Sequence, residues 1–593
     1  MNKVKFNKSL FEFYSIFILF AVFAPKLNAV DNVSLRWLTV ASVNLVFLSY
    51  ILISKKKYYL KISNVLKIFT GLFIVSVAST INSLNINESL ISLNKIFIVL
   101  STIVCVSVLI NKKESLQSLT YILFISVLFE SLYVFYDYFT SSDLNFSGVS
   151  MNRNISSFSI LVKVPFIYIY QSLNQNQNKL ISILYELIVI LSIILLESRA
   201  AIFILTLIFI LKAVFLKDKI RSFISLCLIV LTVIIYYPFS RVLQGKDIIS
   251  SNIMLDESLS LRFDFFSHAI ELFLNNPLIG NGVGMWKVLS NQMKLSQVPY
   301  YVHNDFLQFL IETGAIGFIM YILFFFSIFY SIKKQWNNSS IYILLASLIF
   351  LIDSLINFPF HRPQQIIIFI LIIGSIISSL DLKKIEFKNS YLFILIITLV
   401  ISNYLSFKVL NGSFIENRFR VDLIKNEFSF DKTELEKLEY QLPNLTSNTV
   451  PFSSYIARYY LNFSEYSKAD QLIDIGINYN PYLSYPRDIK LQSLLEQNNL
   501  LEALRVAKYQ LYNSNQTEAY LQIIFSISSE LNLENEFVDL YDKILSLNNS
   551  DLLVEYFLNY KKINGLNQTN FNKLLFQSIA VFPKNQDLLK ILN

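Results

Sequence analysis

The chain has three histidines, and one of them, His303, stands in "YVHNDFLQFLIETGAIGF" (301–318), where an apolar run begins. An imidazole titrates near neutrality, so a histidine at the edge of a membrane helix suits proton abstraction from a hydroxyl; the plainer alternative is a histidine that only hydrogen-bonds a helix end. Asn304 is of the type that caps a helix, Gly314 of the type that breaks one, and Glu312 lies between them. Two arginines add to the same chemistry. Arg199, in "LLESRAAIF", falls between two apolar runs with almost no loop to carry it, a costly depth for a guanidinium unless Glu197 or another anion pairs with it. Arg262 lies at the start of "LRFDFFSHAIELFLNNPLIGNGVGMW" (261–286). Because the guanidinium fork matches two phosphate oxygens at once, two such groups beside a base describe a site that holds a diphosphate while a hydroxyl attacks.

The elements that must position these residues follow from hydrophobic patterning. Of 593 residues, 54% are hydrophobic and 16% charged, the composition of a membrane protein. Apolar stretches long enough to span a bilayer are expected near 9–25, 35–54, 63–81, 93–110, 117–137, 155–171, 180–196, 200–216, 221–238, 314–332, 340–357, 364–381 and 390–409. The first follows Lys3, Lys5 and Lys8 like a signal peptide but lacks a clean cleavage site, and is read as a retained helix. Loop cations set the orientation. With the N-terminus inside, Lys55, Lys56, Lys57, Lys61, Lys112, Lys113, Lys179, Lys212, Lys217, Lys219, Arg221, Lys333, Lys334, Lys383, Lys384 and Lys388 are cytoplasmic, against Lys26, Arg36, Lys95, Arg153, Arg199 and Arg362 outside. The loop 239–313 and everything beyond 410 then lie outside the cytoplasm. The net charge of +8 is explained by the inner loops, which leaves no basic domain for a nucleic acid. Cys105 and Cys227 sit inside apolar runs, so neither a disulfide nor a cysteine metal site is expected.

The loop 239–313 is too long for a passive connection. Leu261, Phe265, Phe266, Ile270 and Phe273 have helical spacing, which predicts an amphipathic helix on the membrane surface, ended by Asn276-Pro277 and followed by a turn through Gly280, Gly282 and Gly284. No strand precedes those glycines, so a permissive turn is expected and a dinucleotide site is not. The loop carries five Lys/Arg against seven Asp/Glu, so anion binding depends on placed contacts. Within the spans, Glu12, Glu130, Lys163, Glu186 and Asp353 are expected either in internal ion pairs, Lys163 with Glu130 or Glu186, or along a translocation path.

From about 411 the composition becomes mixed, and a soluble helical domain is expected. Ala469, Ala503 and Phe537 follow one another at intervals of 34 residues, the period of tetratricopeptide repeats, although Phe537 stands where a small residue is usual. Such a domain either only adds stability or docks a partner or acceptor.

The ordered series "GVSMNRN" (148–154), "ESRAA" (197–201), "SLRFDFFSHAIELFLNNPLIGNGVGMW" (260–286), "HNDFLQFLIETGAIGF" (303–318) and "NFPFHRP" (357–363) resembles the O-antigen ligase superfamily, over about residues 60 to 380. That superfamily also holds O-antigen polymerases and protein O-oligosaccharyltransferases. Phe266 departs from the tryptophan common in its surface helix. The resemblance implies an all-α, polytopic bundle of 12 to 13 spans (1–410) with a periplasmic helical-repeat tail (411–593), in the bacterial inner membrane. It implies glycan transfer from undecaprenyl diphosphate to a hydroxyl, without metal or other cofactor. His303 would act on the acceptor, Arg199 and Arg262 on the diphosphate, with Gly280, Gly282, Asn304 and Glu312 supporting them. Ligase-type transfer to lipid A core is expected; a protein acceptor, polymerisation and, outside enzymes, a lipid-linked glycan transporter are the alternatives.

Overall fold

The structure, a computed structural model, describes the chain except for residues 1, 26, 28, 32, 55, 111–113, 142–145, 174–178, 216–218, 244–256, 296–298, 337, 381, 440, 515 and 593. Lys26, Lys55, Lys112, Lys113 and Lys217 of the loop-charge pattern, and parts of the 239–313 loop, therefore lie outside the described residues. The chain divides into two compact units, Met1–Trp286 with Pro299–Asn417, and Lys287–Val298 with Arg418–Asn593.

The first unit is a helix bundle. Its helices are α1 (Asn2–Val22), α2 (Val33–Ile53), α3 (Asn64–Ser79), α4 (Ile86–Leu109), α5 (Glu114–Thr140), α6 (Arg153–Leu161), α7 (Val164–Leu173), α8 (Lys179–Leu195), α9 (Arg199–Phe215), α10 (Lys219–Leu243), α11 (Glu257–Asn275), α12 (Trp286–Leu289, which from Lys287 on belongs to the second unit), α13 (Asp305–Lys334), α14 (Asn338–Ile356), α15 (Pro363–Ser379) and α16 (Asn389–Lys425). Among the described residues, seven are long and apolar enough to cross a membrane, and four apolar stretches are shorter. The protein is thus an all-α, multi-pass membrane bundle.

Three elements depart from the expected spans. The stretch expected as one span at 155–171 is two helices, α6 and α7, because Pro165 offers no N–H to continue the ladder and Lys163 turns its side chain to Glu130. The span expected at 314–332 starts earlier, at Asp305, with a break at Gly314 (φ 67°). The span expected to end at 409 runs on to Lys425 within α16, since a lone glycine, Gly412, does not stop a helix. The division between the units falls within α16, at Asn417, and the segment Lys287–Val298 belongs with the C-terminal residues.

Opposite ends of the bundle are marked by contacts. At one end, β1 (Tyr59–Lys61), after α2, pairs antiparallel with β2 (Lys384–Glu386), after α15, with Leu60 opposite Ile385. At the other, the Arg36 guanidinium near the start of α2 donates to the Val149 carbonyl at 2.8 Å, and Arg153 at the start of α6 pairs with Glu197 beside α9 at 2.6 Å.

The second unit is helical throughout its regular elements: α17 (Lys432–Leu438), α18 (Phe452–Asn462), α19 (Tyr466–Tyr479), α20 (Tyr485–Glu496), α21 (Leu500–Asn513), α22 (Thr517–Glu530), α23 (Glu534–Ser546), α24 (Ser550–Tyr560), α25 (Gln568–Val581) and α26 (Gln586–Leu592). Ala469 and Ala503 are fully buried, and Phe537 fills its interhelical position with a ring stacked on Tyr560 at 4.8 Å. The Lys287–Val298 segment is held within this unit by the buried Asn291 side chain, which donates to Thr449 Oγ1 at 3.3 Å.

Candidate active site

The surface helix, the glycine turn and α13 form one construction. Asn304 caps α13, its side chain accepting from Leu307 N at 3.1 Å. Gly314 then breaks α13, and the glycine turn packs into the break: Asn281 N donates to Ile311 O at 2.9 Å, Gly282 N to Glu312 O at 3.1 Å and Ala315 N to Pro277 O at 2.8 Å. Backbone lies directly on backbone, so a Cβ at Gly280 would come within 2.5 Å of the Glu312 carbonyl and one at Gly314 within 2.3 Å of the Leu278 carbonyl. Both glycines also have positive φ, which makes side chains doubly unwelcome there. Asn82 Nδ2, donating to Gly280 O at 2.8 Å, and Ser89 Oγ, donating to Val283 O at 2.7 Å, fasten the turn to the α3–α4 connection and to the first turn of α4.

This frame positions His303 two residues ahead of α13. Gln308 accepts from Val302 N at 3.0 Å and donates to Glu312 Oε1 at 2.7 Å, so the buried Glu312 braces the backbone next to the histidine. His303 itself has φ 61°, a strained conformation for a residue with a side chain. Its half-buried ring lies between Phe265 of α11, 6.3 Å away and stacked, and Phe358 of the α14–α15 connection, 5.0 Å away and edge-on. Nδ1 is buried without a hydrogen-bond partner among the described residues.

Two guanidinium groups act on that imidazole. Arg262, half buried, donates from Nη1 to the Ile356 carbonyl at 3.2 Å. Arg362 lies over the rings of Phe358, at 4.9 Å, and Tyr301, at 5.6 Å, and its Nε is likewise buried without a hydrogen-bond partner. Burial above all, and then these two positive charges, push His303 down to about 4. The near-neutral imidazole expected from residue type alone is therefore corrected by its surroundings: ring contacts and neighbouring cations both penalise the protonated form.

Behind Tyr301 stands a second histidine. His361, 4.8 Å from Tyr301, faces the buried Asp305, with Nε2 and Oδ1 3.9 Å apart, beyond hydrogen-bond length. Asp305 Oδ2 accepts from Phe360 N at 3.0 Å, which fixes the "NFPFHRP" connection to the first turn of α13. Next to His361, a cavity of about 10 Å3, water-sized, is lined by Ser92, Lys95, Gln308 and Glu312 among others.

Of the residues expected in a site, the structure brings His303 and Arg262 together and sets Gly280, Gly282, Asn304 and Glu312 in the frame around them. Arg199 opens α9 with an exposed side chain and is not among the charges that shift His303. The second guanidinium there is Arg362, which sequence reasoning counted only as a loop cation within "NFPFHRP". Its signal was present: a His-Arg pair in a short connection between two apolar helices.

Residues 184–322 match the family model for O-antigen ligase. Over these residues the chain is similar to the O-antigen ligase family. The matched stretch contains Arg199, Arg262, the glycine turn, His303 and Glu312, whereas His361 and Arg362 lie beyond it. No curated protein matches the chain. The match supports a glycan ligase or polymerase of the O-antigen type, a family whose substrates are in general a lipid-linked glycan and an acceptor.

Proposed function

We propose that this protein transfers a glycan from undecaprenyl diphosphate to a hydroxyl of lipid A core at the periplasmic face of the bacterial inner membrane. The observation that carries the reading is His303, set between two aromatic rings, with an unpartnered nitrogen and two arginines close enough to depress its basicity. Arg262 and Arg362 hold the diphosphate, and Arg199 is retained as a third cation for it. The arginines carry the diphosphate charge, so no metal is needed for that purpose.

The chemistry follows from charge. Before a donor binds, the arginines keep the imidazole neutral but weakly basic. A diphosphate seated on them offsets their charge and lifts the imidazole toward the range where it can take a proton. The acceptor oxygen gives its proton to His303 and bonds to the anomeric carbon, while the bond from that carbon to the diphosphate oxygen breaks. Undecaprenyl diphosphate leaves with the electron pair. Because it is already a good leaving group, orientation and charge stabilisation are the main contributions required of the protein.

The cation asymmetry of the loops supports a periplasmic position for the site and for the second unit, whose helical repeats are proposed to dock acceptor or partner protein. The deciding experiment is a gene deletion scored for lipopolysaccharide ladders, glycoproteins and lipid-linked precursor together. Uncapped lipid A core with precursor on the outer leaflet supports the ligase; loss of glycoprotein alone supports a protein acceptor. Precursor held on the cytoplasmic leaflet overturns transfer in favour of transport.

A further inference from the structure

Helix α11 has two apolar faces. One is buried, through Phe265, Ala269 and Leu272, and supports His303. The other is open: Phe263, Ile270 and Leu274 are 62%, 49% and 67% exposed and repeat at helical spacing, followed by Leu278 at 68%. From Phe263 to Leu274 this stripe is about 16 Å long at 1.5 Å per residue. It does not end there. Ile316 N donates to Leu278 O at 3.4 Å, which joins the stripe to Ile316 and Ile319, 41% and 51% exposed, on the outer face of the spanning part of α13. An apolar ribbon thus runs from the residue next to Arg262 to a lipid-facing helix.

We propose that this ribbon binds the polyprenyl chain of the lipid diphosphate donor, an assignment that rests on the donor reading above. Adjacent residues, Arg262 and Phe263, meet the two chemistries of one amphiphile, an anionic head and an apolar tail. Simple membrane anchoring fits less well. An interfacial anchor flanks its apolar stripe with lysine and arginine to attract anionic lipid headgroups, whereas the exposed charges flanking this stripe are Asp264 and Glu271. The tail lies on α11 and α13 while its diphosphate reaches Arg262, so chain length becomes a determinant of donor affinity.

The test uses the full-length protein in nanodiscs, with Ile270→Gln and Leu274→Gln combined. Both positions are largely exposed, so the fold does not depend on them. Two donors with the same glycan are compared, one on an undecaprenyl chain and one on a two-isoprene chain. The expected result is a KM for the long-chain donor raised roughly tenfold, the loss of burial of one to two apolar side chains, with kcat and the short-chain KM unchanged. Equal changes for both donors, or none for either, overturn the proposal; an equal loss accompanied by release from the bilayer assigns the stripe to anchoring. A photoactivatable polyprenyl diphosphate without glycan separates this idea from the enzymatic one. Crosslinking at Ile270 in a protein that transfers nothing retains the tail site and removes the proposed function. Transfer with no crosslink there does the reverse.

Discussion

Two charged regions of the membrane unit are built differently. Inside the bundle, Lys163 pairs with Glu130, with Ser126 and Ser159 completing the cluster, and Lys212 pairs with Glu186 at 3.3 Å, with Ser225 beside them. At the mouth, His303 Nδ1, Arg362 Nε, His361 Nε2 and Asp305 Oδ1 are buried without hydrogen-bond partners among the described residues. A charge in hydrocarbon is tolerated only when paired, and the interior pairs join α5 to the α6–α7 junction and α8 to α9. Partners withheld at the mouth carry a standing cost, which an anionic ligand would relieve at the Arg362 N–H. The contrast is between charged groups that pair within the fold and polar groups left without a hydrogen-bond partner beside the proposed site. It also removes the sequence argument for a translocation path through Lys163, whose ammonium is already matched.

The contrast can be broken or sharpened in order of expected effect. His303→Ala should lower transfer by roughly 10²- to 10⁴-fold, the usual contribution of a general base, in protein that still inserts; reconstituted transfer above a tenth of wild type would dismiss the catalytic role. Lys163→Met should strand Glu130 and destabilise the bundle by about 3–5 kcal/mol, read as a drop in thermal midpoint. Adding Glu130→Leu should restore most of it, and activity per folded molecule should change little throughout. Arg262→Lys and Arg362→Lys should each cost roughly tenfold to a hundredfold in kcat/KM, because a point charge does not replace a fork making charged hydrogen bonds; wild-type rates in both would refute diphosphate binding.

The smallest effects concern protons and metals. With His303 pushed down to about 4, the imidazole of the free protein is neutral above that value, so kcat/KM should hold through pH 6.5 and fall only as pH drops through about 4. The sign for stability is the same: the unfolded chain takes up its proton near 6.5, so stability is fully present above that pH and declines below it. Arg362→Gln removes a positive neighbour and should move the acid limb to higher pH; an unmoved limb would show that Arg362 does not act on His303. Chelator treatment should leave transfer unchanged, and loss restored by a divalent cation would overturn charge neutralisation by arginine alone.

Much of this was legible along the chain because it is local. The cap at Asn304, the break at Gly314 and the amphipathic period of α11 each depend on neighbouring residues, and the structure contains all three. Arg362 was overlooked because its role depends on the α14–α15 connection folding over Tyr301, which no local pattern encodes. The partner of Lys163 was open between two carboxylates for the same reason, and Glu186 turned out to pair with Lys212.

By itself the sequence determined a helical membrane protein with a mixed helical tail, because hydrophobic period and loop charge act over a few residues and need no distant partner. Only the tertiary structure decided which arginines neighbour the imidazole, how far its proton affinity falls and which charges are neutralised. Electrostatic interactions and desolvation depend on distance in space and on the packing of residues far apart in the chain, and those distances come into being only when the helices assemble.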